Sequence, residues 1–250
     1  MTQITVAGIT SAGKVRSHNE DCLGLSDWIR QRPMTGPVQL SMCVGEPVLF
    51  VVADGMGGHA HGETASRMAV TRLLAQSPAL SSEQAVVQAI QETNAAMYEL
   101  MATDAMFRGM GTTLAGVVVC PEKIIGFNVG DSRIYQFRHG YMQLLSVDDT
   151  VDFPYALTTE RTGLASHAIT QSIGGASEPT DVTPHVWSHP LEGSQRFLLC
   201  TDGLTDMLDQ DAMEASHSGD IKTAISALHE QALAQGGHDN VSVLILDVTV

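Results

Sequence analysis

Two hydrophobic periods divide this chain. Ile4–Ile9 alternates apolar and polar positions, and Val48-Leu-Phe-Val-Val-Ala53 is apolar throughout, so both are predicted strands, the second buried on both faces. Leu114–Cys120, Ile124–Val129, Arg133–Phe137 and Tyr141–Leu145 follow one another closely, with Pro121-Glu-Lys123 as a hairpin turn, which predicts a β-meander. His185–Trp187, Phe197–Thr201 and Val241–Val248 are further strands. A period of 3.6 takes over between them. In Gly62–Gln76, Ala65, Met68, Ala69 and Leu73 share a face, and Val86, Ala89, Ile90, Thr93, Met97, Leu100 and Met101 keep helical spacing behind a Ser81-x-x-Gln84 capping box. Thr205–Ser216 and Ile221–Ala234 are the remaining predicted helices, the latter stopped by Gly236-Gly237. Residues 28–46 carry Pro33, Gly36, Pro37 and Gly45 and are predicted to be a loop excursion; residues 146–172 are weakly patterned and are predicted to form a polar flap with a short helix.

These elements show no regular strand–helix–strand alternation and no repeat. They predict an α+β fold in one domain spanning 1–250: a central antiparallel β-sandwich flanked by helices on both sides. With 44% hydrophobic residues the chain can fill such a core. No apolar run approaches the ~20 residues that span a bilayer, and Met1-Thr-Gln-Ile-Thr-Val lacks the features of a signal peptide. Cys22, Cys43, Cys120 and Cys200 are scattered without a CxxC pair. This predicts a reduced, cytoplasmic protein in which Cys120 and Cys200 are inert core thiols. A net charge of −15 argues against a nucleic-acid surface. It is compatible with an acidic metal site.

The carboxylates change the picture most. The apolar run 48–53 stops on Asp54-Gly55-Met-Gly57-Gly58, and the run ending at Cys200 stops on Thr201-Asp202-Gly203. Asp239-Asn240 precedes the last strand, Asp131 follows Val129-Gly130, and Arg16-Ser-His-Asn19-Glu20-Asp21 lies near the start. A single Asp-Gly pair is usually only a turn. Several acids gathered at one sheet edge repel one another and call for a cation. All the donors are oxygens, which favours hard octahedral ions over zinc.

Six segments in order carry a resemblance: Val15-Arg16-x-x-Asn19-Glu20-Asp21, Ala53-Asp54-Gly55-Met56-Gly57-Gly58, Gly111-Thr112-Thr113, Val129-Gly130-Asp131-Ser132-Arg133, Thr201-Asp202-Gly203-Leu204 and Gly237-His238-Asp239-Asn240-Val241-Ser242. Together, over about Gly8 to Val248, the chain resembles the metal-dependent serine/threonine protein phosphatases of type 2C in their bacterial form. The resemblance implies a binuclear Mn²⁺ or Mg²⁺ site at one end of the sandwich. Asp54 would bridge two ions, the Gly55 carbonyl would ligate one, Asp202 and Asp239 would hold the first, and Glu20 would hold the second through water. Asp131 with Asp202 would offer a third, weaker site. Arg16 would clamp the substrate phosphate, and Asp21 and Asn240 would stand behind the ligands. A metal-activated hydroxide would hydrolyse the phosphomonoester without a phosphoenzyme. The expected partners are phosphorylated proteins and a cognate Ser/Thr kinase, with no nucleic acid and no membrane insertion; the expected state is a monomer, and a link to type VI secretion is a further expectation from relatives.

Two other readings compete. A phosphoprotein-binding domain without turnover would be expected to lose one of Glu20, Asp54, Asp202 and Asp239, and all four are present. A hydrolase of small phosphomonoesters would differ in substrate alone. The chain also departs from the family pattern: Met56 stands where many eukaryotic members have a histidine, and the family's SxDHS-like stretch is Ser146-Val-Asp-Asp149-Thr. His59 and His61 are the histidines nearest the predicted metal loop.

Overall fold

The computed structural model describes residues 2–57, 60–138, 140–151, 168–216 and 219–250. In chain order the first half contains β1 (Gln3–Ser11), β2 (Cys22–Leu25), β3 (Trp28–Arg30), β4 (Val38–Cys43), β5 (Val48–Ala53), β6 (Gly55–Met56), α1 (Ala60–Ala75) and α2 (Glu83–Thr103). Then come β7 (Gly111–Thr112), β8 (Leu114–Val119), β9 (Lys123–Val129), β10 (Arg133–Arg138), β11 (Tyr141–Leu144), β12 (Ile173–Gly174), β13 (His185–Pro190) and β14 (Ser194–Cys200). The chain closes with α3 (Asp202–Thr205), α4 (Gln210–Ser216), α5 (Ile221–Ala234) and β15 (Val241–Thr249).

Two six-stranded antiparallel sheets form the centre, ordered β11-β10-β14-β15-β1-β4 and β13-β9-β8-β5-β2-β3; a small third sheet, β12-β7-β6, lies beside them. Three apolar layers hold the stack together. Phe50, Val117, Phe197 and Leu246 meet between the large sheets. Val51, Phe127, Ala69 and Ile90 fill the space under α1 and α2, and Ile245, Leu198, Ile225 and Leu228 fill the space under α5. Strands such as β5 and β8 face apolar matter on both sides, which is why their sequences are apolar at every position. The result is a helix–sheet–sheet–helix stack, as the pattern predicted.

Three local expectations are corrected. The 28–46 loop excursion contains β3 and β4. Val38, Leu40 and Met42 alternate half-buried with exposed neighbours, and β4 pairs with β1 in the register Ile4↔Met42; Pro33 and Pro37 fall in the connection between the strands, where no ladder bond is lost. The cap of α2 is Ser82, whose Oγ accepts from the Ala85 N–H at 3.2 Å. Ser81 N–H instead donates to Ala79 O, closing the turn before the helix. Thr205–Ser216, predicted as one helix, runs from the last residue of α3 through a break to α4. Asp209 accepts from the Ala212 N–H at 2.9 Å and restarts the helix as α4. Residues 152–167, most of the predicted flap and its helix, lie outside the described residues, as does His59.

One end of the stack gathers the acids. Ser11 pairs with Val241, Cys22 with Ala53, Leu114 with Val129 and Arg133 with Cys200. The segments carrying Arg16, Glu20, Asp54, Asp131, Asp202 and Asp239 all leave strands at that edge.

Candidate active site

A cleft of about 340 Å³ opens there. Arg16, Glu20, Asp54, Gly55, Asp131, Asp202, Asp239 and Asn240 all line it, so of the residues expected at the metal and phosphate site the structure leaves only Asp21 off the lining. Asp21 is fully buried next to it, accepting from Thr201 Oγ1 at 2.9 Å.

Asp54 and Glu20 are held through their backbones. The Asp54 carbonyl accepts from Thr113 N at 2.9 Å and from Thr112 Oγ1 at 2.7 Å, while Asp54 N donates to Thr113 Oγ1 at 3.1 Å. This gives the Gly111-Thr112-Thr113 motif a physical role: it fixes the end of β5. Thr113 Oγ1 also lies 2.7 Å from Ser132 Oγ, tying Asp54 to the Asp131 turn. Asn240 joins the chain ends: its side chain accepts from Glu20 N at 2.8 Å and donates to His18 O at 2.8 Å. Gly55 and Gly62 must lack side chains. A Cβ on Gly55 would strike the carbonyls of Gly62 and Glu20, and one on Gly62 would strike the Glu20 carboxylate.

The electrostatics are those of crowded, desolvated acids. Burial lifts Asp21 to about 8, with Asp202 and Asp239 adding repulsion and hydroxyl bonds from Ser242 and Thr201 opposing it. Burial, then Asp21 and Asp202, push Asp54 well above the ordinary carboxylate range, and Asp54 shares a hydrogen bond with Asp202. Burial, then Asp202 and Asp148, raise Asp131 to about 7. Arg16 answers part of this charge: its Nη2 sits 2.6 Å from Asp239 Oδ2, on an arginine side chain 57% exposed.

The donor set suits a hard divalent cation. It is oxygen only, it is short of positive charge, and buried Asp21 Oδ1 finds no hydrogen-bond partner among the described residues. No three described acidic, histidine or cysteine side chains converge into a ready ligand set as they stand. Asp239 is turned to Arg16, and Asp54 to Asp202.

Other residues at the cleft carried no signal in their spacing. Ser17, His18 and Ile169 line it, and Met56 lines it too, without a proton to give. His61 is on the first turn of α1 and is not among the described lining residues. The altered Ser146–Thr150 stretch is well anchored: Arg133 grips Asp148 with Nε and Nη2, at 2.9 and 2.6 Å from Oδ2. The buried thiols behave as expected. Burial pushes Cys22 and Cys200 up to about 12 and raises Cys120, so none is a nucleophile near neutral pH. Among the described residues no helix is long and apolar enough to cross a membrane.

A double antiparallel sandwich with this acidic edge is the architecture of a metal-dependent phosphatase class, and comparison with known proteins agrees. The chain belongs to the protein phosphatase 2C family, whose profile matches residues 39–236. It is 32% identical over 208 residues to the serine/threonine protein phosphatase PstP of Mycobacterium tuberculosis, covering 80% of this chain and 40% of that one, so the match spans under half of that relative. The serine/threonine phosphatase stp of Listeria innocua is 29% identical over 253 residues, covering 95% of this chain and 93% of its own. Among solved structures, the catalytic domain of PstP in complex with two manganese ions superposes with a TM-score of 0.81 at 26% identity, covering 100% of both chains.

Proposed function

We propose that this chain, as a single catalytic domain, hydrolyses phosphoserine and phosphothreonine in proteins with Mn²⁺ or Mg²⁺. The observation that carries this reading is the convergence of Arg16, Glu20, Asp54, Asp131, Asp202 and Asp239 in one cleft from segments far apart in sequence. Asp54, the Gly55 carbonyl, Asp202, Asp239 and Glu20 would hold two such ions, and Asp131 with Asp202 would serve a third. When bound, such ions neutralise phosphate charge and lower the pKa of water enough to make a nucleophile at neutral pH.

The remaining chemistry belongs to the chain. Arg16 would release Asp239 to the cations and turn its guanidinium to two phosphate oxygens, a charge-assisted fork that holds the phosphorus for in-line attack. Its high exposure permits that swing. Burial raises Asp54 and Asp131, so a cation would compete with protons at these carboxylates. Asn240 keeps the Arg16–Glu20 loop against Asp239. The partners would be phosphoproteins of a cognate Ser/Thr kinase, and the enzyme would act as a cytoplasmic monomer.

The test is hydrolysis of a phosphothreonine peptide and of p-nitrophenyl phosphate, with Mn²⁺ and with chelator. Chelator should abolish both activities, and Asp239→Asn should keep less than about a hundredth of wild-type rate at saturating Mn²⁺ while its circular dichroism is unchanged. Activity in chelator, or near-normal turnover by Asp239→Asn, would overturn the assignment.

A further inference from the structure

Asp149, where the family pattern has a histidine, is a carboxylate outside the cleft whose two oxygens engage three partners. Its Oδ2 accepts from Gly130 N at 2.9 Å and from Gln171 Nε2 at 2.9 Å. Its Oδ1 lies 2.8 Å from His185 Nε2 on β13. Its backbone N–H donates to Gly130 O at 3.0 Å, and its carbonyl accepts from Thr170 N at 2.7 Å. One residue therefore grips Gly130 on both its amide and its carbonyl, and also holds the point where the 150–169 excursion returns. Next to it, Thr150 pairs with Ile169. Both things held this way reach the cleft: Asp131 follows Gly130, and Ile169 lines the opening.

The turn being held is a demanding one. Gly130 has φ +90°, and a Cβ there would press on Thr113, whose hydroxyl fixes Asp54. Buried Asn128 adds a second clasp, exchanging bonds with Val147 at 2.7 and 3.1 Å.

We infer that Asp149, oriented by His185, is a positioning residue that sets Asp131 and the root of the 150–169 excursion as one unit. The proposal rests on the phosphatase reading of the cleft. Three partners share the two oxygens of Asp149; an asparagine offers one accepting oxygen and no charge, so it holds His185 only through the other tautomer of the ring. A glutamine can replace His185, because its amide can still donate to Asp149; a leucine cannot.

The experiment measures Mn²⁺ binding by calorimetry and the Mn²⁺ dependence of p-nitrophenyl phosphate hydrolysis in Asp149→Asn, His185→Gln and His185→Leu. Asp149→Asn and His185→Leu are expected to weaken the weakest Mn²⁺ binding step, and to raise the Mn²⁺ needed for half-maximal rate, by about tenfold, a usual effect for partners that orient ligands. His185→Gln is expected to stay near wild type. Adding Asp149→Asn to Asp131→Asn should cost nothing more, since both act through one carboxylate. If Asp149→Asn lowers the melting temperature but leaves Mn²⁺ binding unchanged, or if the two substitutions add in full, the positioning role is wrong. If wild type hydrolyses no phosphomonoester, the phosphatase reading fails; calorimetry still decides whether Asp149 orients Asp131.

Discussion

Arg16 is a residue with two competing partners. In this structure it neutralises Asp239; in the proposed reaction it holds phosphate. Arg16→Ala should therefore act in opposite directions on two measurements. The kcat/KM for a phosphopeptide should fall by the equivalent of about 1.5–3 kcal/mol, the worth of a charge-assisted hydrogen bond. Mn²⁺ affinity should hold or rise, because Asp239 loses its rival cation. Equal weakening of both would mean that Arg16 builds the metal site and does not bind substrate. At this scale the sequence was most legible. An acid at the end of an apolar run sits at the edge of a strand, so Asp54 and Asp202 could be placed from their own neighbours. His18 and Ile169 could not, because what puts them at the cleft is the path of a loop and the return of a distant excursion.

At the scale of elements, Gly62 sets two effects against each other. It lies in the first turn of α1, where helix propensity favours alanine by roughly 0.8–1 kcal/mol. Tertiary contact forbids the added methyl, which would meet the Glu20 carboxylate and the Gly55 backbone. Gly62→Ala should therefore fail to raise the melting temperature and should weaken Mn²⁺ binding measured by calorimetry. A stabilised variant with normal Mn²⁺ binding would show that α1 can retreat from the metal loop. The elements misread from sequence were those whose pattern is short or interrupted. β3 has three residues and β4 only an edge-strand alternation, so Pro33 and Gly36 dominated the reading of that stretch. The break between α3 and α4 depends on a single capping aspartate within an otherwise continuous helical pattern.

For the molecule as a whole, the buried acids link stability to pH. Asp21 at about 8 and Asp131 at about 7 hold protons in the folded state that the unfolded chain loses near pH 4. Their burial is harmless below about pH 4 and grows costly as pH rises from there through 7 and 8. Metal-free protein should therefore melt at a lower temperature at pH 8 than at pH 5.5, and saturating Mn²⁺ should raise the pH 8 value more than the pH 5.5 value. Thermal melts at the two pH values, with chelator and with Mn²⁺, check this. A metal-free melting temperature that climbs with pH would mean that the carboxyls are already ionised in the fold.

Period and composition alone made two sheets flanked by helices the natural packing. A run such as 48–53 can be apolar at every position only if both faces are buried, and helices with one apolar face must lie outside it. Local order along the chain put the acids at strand ends; that one edge collects them was decided by the tertiary structure. The tertiary structure decided what depends on residues distant in sequence: that Arg16 faces Asp239, that Thr113 pins Asp54, and that Asp149 reaches His185 while holding Gly130. These contacts join segments up to 223 positions apart. No hydrophobic period encodes such pairings, because hydrogen bonds between loops depend on where the sheets deliver their ends and not on which residues lie nearby in the chain.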